Sequence, residues 1–345
     1  MKILVDINHP AHVHYFRNFS NIMQDKGHEV LFVARDKEIS HRLLTLYNIS
    51  YINRGKGREG KIGKFIYLIF ADYKLLRISL KYKPDVFINF LHPYPSHVAK
   101  FLGIPSLVFS DTEHAKLHHQ LTVPFATKIF TPSCFRTDLG IKQKRFDSYM
   151  EVSYLHPNYY SPNPEILKLL GVIEGEKYVI IRFVSWAATH DFGHTGMTLH
   201  NKRKAVQSLI KYAKVFITAE GELPSDLESY RISIPVDKMH DAIYYSSLLF
   251  GESATMASEA AVLGTPSIFI DNDGRGYTTE EEQKYGIVFN FNESESDQLR
   301  AIDKAVSIIA DDGSREKFRK TREEILKNCV DTTQFMVDEV LKYKP

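Results

Sequence analysis

The chain has 345 residues, 43% hydrophobic and 25% charged, with a formal net charge of +2. That is too long for one ordinary core and suits two domains of a soluble globular protein. No run of 18 apolar residues occurs, which excludes a membrane-spanning helix. The two cysteines, Cys134 and Cys329, lie far apart and show no metal or redox spacing. The start, Met-Lys-Ile-Leu-Val-Asp, turns acidic at Asp6 and has no signal-peptide core, so the expected location is cytoplasmic, with peripheral contact at the inner membrane face left open.

Ile3–Ile7 reads as a buried strand. Val13, Phe16, Phe19, Ile22 and Met23 follow at helical spacing, closed by Lys26-Gly27. His9, His12 and His14 crowd the turn between them. An imidazole at a strand end is well placed as a general base, and its ordinary pKa suits neutral pH. Three histidines also raise a metal site, but spacings of three and two do not put them on one helical face. One catalytic histidine among structural ones is the preferred reading.

Glu29–Ala34 is a second strand. Tyr51–Pro84 then carries nine Lys or Arg against Glu59 and Asp72, with Phe65, Ile66, Tyr67, Leu68, Ile69 and Phe70 interleaved. Read as a basic helix, it is either a core helix with a solvated side or, over 61–82, a surface for an anionic membrane or lipid-linked substrate. Nucleic-acid binding is disfavoured, since no recognised module accompanies the charge. Asp85–Asn89, Ser106–Ser110 and Lys128–Thr131 continue the apolar strands. Their ends carry His92 and His97, placed beside an acceptor pocket, and then Asp111 and Glu113. Asp111 or Thr112 could equally cap a helix, with Glu113 in its first turn.

Glu151–Pro164 is rich in Pro and Asn and reads as a linker. Alternation restarts at Tyr178–Val184, Val215–Thr218, Ile232–Ile234, Leu248–Phe250, Ser267–Ile270 and Ile287–Phe289, and the last 45 residues look helical. Arg182, inside an apolar strand, needs a partner: an arriving phosphate or a buried salt bridge. The loop Ser185–Gly196 holds Trp186, the single tryptophan and a candidate for sugar stacking, with His190 and Asp191 as phosphate or sugar contacts. Asp271-Asn-Asp273 reads as a turn rather than a metal site.

The most informative segment is 240–270. A short helix and a buried strand lead into a small-residue turn, where Ser253 or Thr255 caps a helix rich in alanine that ends at Gly264-Thr-Pro266. Free N–H groups at such a turn suit a diphosphate. Glu259, one to two turns in, either faces water or accepts hydrogen bonds from a ribose diol.

This segment resembles the donor-site signature of the GT-B superfamily: a strand ending in Gly-x-Ser-x-Thr, a helical Glu, then Leu-Gly-x-Pro. The superfamily includes nucleotide-sugar glycosyltransferases and UDP-N-acetylglucosamine 2-epimerases. Asp6–His14 is similar to the first loop of lipid-linked N-acetylglucosaminyltransferases, although their glycines are absent, and the histidine of that loop falls on His12. Phe183–His194 resembles a poorly characterised branch grouped with glycosyltransferases. The resemblance implies two Rossmann-like parallel-sheet α/β domains facing a cleft: an acceptor domain over 1–155, a donor domain over 156–328, and a helix over 329–345 packing back on the first. It implies a metal-independent glycosyltransferase with no cofactor, moving a sugar from a nucleotide sugar, by default a UDP sugar, to a saccharide or lipid-linked acceptor in surface polysaccharide or glycoconjugate synthesis. Glu259 would hold the ribose, Ser253, Ala254 and Thr255 the diphosphate, and Glu281 and Gln283 the sugar. His12, Asp111 and Glu113 are the catalytic candidates, with His9, His14, His92 and His97 on the acceptor side. The alternatives are an epimerase using Glu113 and His190, against which the missing His-Arg-Arg-Glu-Asn pattern counts, and a non-catalytic nucleotide-sugar binder.

Overall fold

The computed structural model describes residues 1–344 apart from 59, 185–194 and 220. The chain forms two compact domains, Met1–Tyr159 with Cys329–Pro345, and Tyr160–Asn328. In the first, the strands are β1 (Lys2–Ile7), β2 (Glu29–Arg35), β3 (Tyr51–Gly55), β4 (Val86–Phe90), β5 (Ser106–Phe109), β6 (Lys128–Pro132) and β7 (Gln143–Phe146). The helices between and after them are α1 (Pro10–Asp25), α2 (Glu38–Leu46), α3 (Gly60–Tyr82), α4 (Pro93–Leu102), α5 (Lys116–Thr122) and α6 (Val152–Leu155). The sheet is parallel throughout in the order β3-β2-β1-β4-β5-β6-β7. Helices cover both faces of such a sheet, so β1, β4 and β5 are buried along nearly their whole length rather than on alternate residues. The strand order reverses between β1 and β4, which opens the crevice where α/β sheets hold ligands.

The second domain contains α7 (Glu165–Leu170), β8 (Tyr178–Phe183), α8 (Leu199–Leu209), β9 (Lys214–Ala219), α9 (Met239–Tyr245), β10 (Leu248–Gly251), α10 (Ala254–Leu263), β11 (Ser267–Ile270), α11 (Gly276–Gln283), β12 (Val288–Phe291), α12 (Glu295–Ala310) and α13 (Ser314–Asn328). Its parallel sheet runs β12-β11-β10-β8-β9, so order reverses at β8 and β10. The closing helix α14 (Thr332–Leu341) packs in the first domain: Thr332 Oγ1 donates to the Tyr149 carbonyl at 2.9 Å and Thr333 Oγ1 to that of Ser153 at 2.6 Å.

Three expectations are corrected. The basic stretch 51–84 is not one helix, because Tyr51–Gly55 is an edge strand that, among the described residues, pairs only with β2. β3 buries only Arg54 and β7 only Phe146, so neither presents an apolar run, and β7, Gln-Lys-Arg-Phe, escapes detection. Ile232–Ile234 forms no strand among the described residues. It meets β9 through a single bridge, Ile217 to Arg231, before Pro235 breaks the pairing. Finally, neither Asp111 nor Thr112 caps a helix, since α5 begins at Lys116 behind Ala115. No helix among the described residues is long and apolar enough to cross a membrane.

Candidate functional site

In the first domain the β1/β4 crevice is lined by histidines. His9 is the N-cap of α1, its Nδ1 accepting the Ala11 amide at 3.3 Å, and Pro10 starts the helix. His12 follows one turn in, buried, its Nδ1 accepting the Asn8 amide at 3.4 Å. Its ring lies 4.9 Å from that of Phe90 and 5.6 Å from that of His92, which in turn lies 5.7 Å from that of His118. His92 caps α4 from the end of β4, with Nδ1 2.6 Å from the Phe90 carbonyl oxygen. The preceding residue, Leu91, sits at φ 40°, a left-handed conformation that costs a branched side chain energy. Burial first, then the neighbouring imidazoles, push His12 and His92 well below the ordinary histidine pKa. Burial therefore favours the neutral form of both rings: His12 keeps its lone pair on Nδ1, toward the Asn8 amide, and His92, with Nδ1–H on the Phe90 carbonyl, keeps its lone pair on Nε2.

Behind them lies a buried polar network. Arg54, fully enclosed at the end of β3, pairs with Asp6 at 3.2 Å, donates to Asn8 Oδ1 at 2.5 Å, and stacks 4.5 Å from the Tyr94 ring. The Asn8 amide donates to Asp6 at 2.5 Å, so the strand-to-helix turn that carries His9 and His12 is tied to β3. The pairing is incomplete: among the described residues Asp6 Oδ1 and Arg54 Nε and Nη1 have no hydrogen-bond partner, and burial raises the Asp6 pKa against the pull of Arg54. Asp111 is buried and accepts the Thr112 hydroxyl at 2.8 Å, while Glu113 accepts the Arg136 amide at 3.1 Å. The remaining candidates stand elsewhere. His14 stacks on Tyr154 at 5.2 Å; two residues along a helix is about 200°, so it leaves on the side away from His12. His97 has both ring nitrogens engaged, by Asp72 at 3.0 Å and the Leu121 carbonyl at 3.0 Å, and braces α4 against α3 and α5.

In the second domain Gly251 ends β10 beside Arg182. A Cβ on Gly251 would stand 2.0 Å from the Arg182 carbonyl oxygen, so only glycine permits this strand approach. Ser253 caps α10, accepting the Met256 amide at 3.4 Å. Ser253, Ala254 and Thr255 are half-exposed around the first turn, where helix N–H groups have no intrahelical acceptor. Glu259 lies further in, nearly buried, with its Oε1 3.0 Å from His240 Nε2. Arg182 donates to Thr218 Oγ1 at 3.2 Å. Trp186, His190 and Asp191 lie outside the described residues. Both ends of their loop are pinned by buried carboxylates. Glu252 accepts the amides of Val184 at 3.0 Å and Met197 at 2.6 Å, and Glu293 accepts those of Thr195 at 2.6 Å and Gly196 at 2.8 Å.

Of the acids on α11, Glu281 points inward. It is wholly enclosed and accepts the Ser258 hydroxyl at 2.6 Å, so it supports α10 and presents no atom to a sugar. Glu282 holds the Asn290 amide at 2.9 Å, and Gln283 is exposed. Asp271 closes a turn on the amides of Asp273 and Gly274, at 2.8 and 2.9 Å, and pairs with Arg275 at 3.2 Å. Among the described residues no three His, Cys, Asp or Glu gather as a metal site. Arg54, His118, His240, Glu252 and Glu293 escaped the sequence reading. Only His240, at the head of the informative segment, carried a signal, and nothing local links it to Glu259.

Two parallel-sheet α/β domains of this construction define the GT-B fold. The chain belongs to the family described as "Protein of unknown function (DUF354)", whose model matches residues 1–344. An uncharacterised protein of Methanocaldococcus jannaschii, MJ0665, is 25% identical over 285 residues, 78% of this chain and 81% of that protein. Among solved structures, the UDP-GlcNAc 2-epimerase of Neisseria meningitidis bound to UDP-GlcNAc is similar with a TM-score of 0.71 and 14% identity, covering 99% of this chain and 100% of that one. The spinosyn rhamnosyltransferase SpnG complexed with thymidine diphosphate is similar with a TM-score of 0.65 and 14% identity, covering 98% and 100%. At such identities these likenesses establish the fold.

Proposed function

We propose that the protein is a glycosyltransferase that takes a nucleotide sugar, by preference a UDP sugar, as donor and a saccharide or lipid-linked molecule as acceptor, in surface polysaccharide or glycoconjugate synthesis. The observation that carries this reading is the start of α10: a Ser253-capped helix at the β8/β10 reversal, with Glu259 behind it, held by His240. The capped N-terminus suits a diphosphate, and a carboxylate fixed by an imidazole suits two ribose hydroxyls. Structures of this fold with thymidine diphosphate and UDP-GlcNAc bound support the assignment. His240 acts here as a positioning residue. In the first domain His12 is the proposed base, taking the proton at Nδ1 as that nitrogen exchanges its 3.4 Å contact with the Asn8 amide for the acceptor hydroxyl. The acceptor oxygen bonds to the anomeric carbon, its proton passes to the imidazole, and the diphosphate leaves with the electron pair of the broken C–O bond. Asp111 and Glu113 are proposed as further catalytic groups beside His12, and the proposed reaction uses no cofactor or metal.

The test is a panel of nucleotide sugars, read by thermal stabilisation and by release of nucleoside diphosphate on adding acceptors. Glu259→Gln should weaken donor binding by about tenfold or more. His12→Ala should keep donor binding and lose turnover about a hundredfold. The proposal fails if no nucleotide sugar stabilises the protein, or if Glu259→Gln binds like wild type. Conversion of the donor to its epimer without any acceptor would replace it with the epimerase reading.

A further inference from the structure

The helix α3 is apolar on two opposite sides. At about 100° per residue, Tyr67, Ala71, Leu75 and Ser79 form the buried side, with Leu75 packed against Leu4, Val33 and Phe87. Ile62, Phe65, Ile66, Ile69, Tyr73 and Leu80 recur at helical spacing around the other side, and all are exposed, Ile62 to 78% and Phe65 to 64%. A helix that only covers a sheet needs one such stripe. A second contiguous stripe of large side chains in water marks a binding surface.

Its flank says what binds. Lys74, Arg77 and Lys81 lie along one edge of the exposed stripe, and with Lys2, Ile52, Ile78 and Tyr82 they line a cavity of about 540 Å³. Lys74 also reaches the Arg54 carbonyl at 3.2 Å, and Lys2 stands 3.6 Å from Glu29, so Arg77 and Lys81 are the more outward charges. Asp72, the single described carboxylate on the helix, is held by His97 at 3.0 Å. A second copy of the chain, docked on this stripe by a two-fold axis, would bring cations against cations. An anionic bilayer offers the complement: acyl boundary for the stripe, phosphate oxygens for the flank.

We propose that α3 docks the protein on the surface of an anionic phospholipid bilayer, with the apolar stripe entering the interface and headgroup phosphates seated along Lys74, Arg77 and Lys81. This inference does not depend on the sugar chemistry. The full-length protein should float with vesicles of mixed phosphatidylglycerol and phosphatidylcholine, stay behind with phosphatidylcholine alone, and lose binding as salt is raised. Arg77→Glu with Lys81→Glu should weaken the partition about tenfold or more. Ile62→Asp with Ile69→Asp should abolish it. These four side chains are exposed or flank the stripe, so the unfolding midpoint should stay within a degree or two of wild type. Should the Asp variant misfold, the charge-reversal variant decides. The proposal is overturned if wild type never floats with anionic vesicles, if the folded variants float equally well, or if stripe variants convert a solution dimer to a monomer.

Discussion

Replacing Glu281 by Gln should raise the stability of the second domain at neutral pH and flatten its pH dependence. The carboxyl is fully enclosed, with the Ser258 hydroxyl on Oε1, and burial pushes its pKa up from 4.5 to about 8, partly offset by that hydrogen bond. Below pH 4.5 the proton is bound in the folded and unfolded chains alike and costs nothing. Between 4.5 and 8 only the fold keeps it, so stability falls as pH rises, by ~1.4 kcal/mol per unit. Above 8 both states are ionised and the penalty levels off; 8 − 4.5 gives 3.5 units, a ceiling of ~4.8 kcal/mol. Local relaxation and water entry reduce that, so about 2–3 kcal/mol is expected at pH 7. Glutamine keeps an oxygen acceptor for Ser258 and cannot ionise. Denaturant unfolding of both proteins from pH 4.5 to 8.5, following the second domain's transition, should show near-parity at the acid end and a widening gain for the variant. Parallel curves across that range would refute the reasoning. The consequence reaches the site, since Ser258 adjoins Glu259 on α10.

Gly251→Ala places a Cβ 2.0 Å from the Arg182 carbonyl oxygen, so β10 must move away from β8. A loss of about 3 kcal/mol is expected, read as a lowered unfolding midpoint, and an unchanged midpoint would contradict the close approach. Glu252→Ala strips the acceptor from the Val184 and Met197 amides and leaves the Lys202 ammonium, 3.5 Å away, without its carboxylate. It should cost about 3–5 kcal/mol in equilibrium unfolding, whereas a cost under 1 kcal/mol would show that the carboxylate does not hold Val184 and Met197.

The parts of the fold legible in the sequence are those encoded locally. Strands buried on both faces announce themselves as apolar runs, and α10 is written out between Ser253, its cap, and Gly264, whose φ of 76° ends it. β3 and β7 hide because each buries a single side chain, Arg54 and Phe146, whereas the edges of the other sheet, β9 and β12, carry enough apolar residues to be read. Ile232–Ile234 misleads for the converse reason: an apolar run before Pro235 looks like a strand, yet only one bridge forms.

The candidate site divides in the same way. Sequence alone determined that histidines crowd the first turn and that a capped helix carries Glu259, because caps, turns and periodicity act within a few residues. Tertiary structure decided which groups meet. The strand order β3-β2-β1-β4-β5 brings together His12 from the start of α1, His92 from the end of β4 and His118 from α5, sets Arg54 behind them, and sends His14 to the other side of α1. Packing of α11 on α10 buries Glu281, and α9 delivers His240 to Glu259 across 19 residues. Only the sheet tells which apolar side of α3 is spent on the core and which faces water. Burial and long-range pairing are properties of the assembled sheet, and no local pattern contains them.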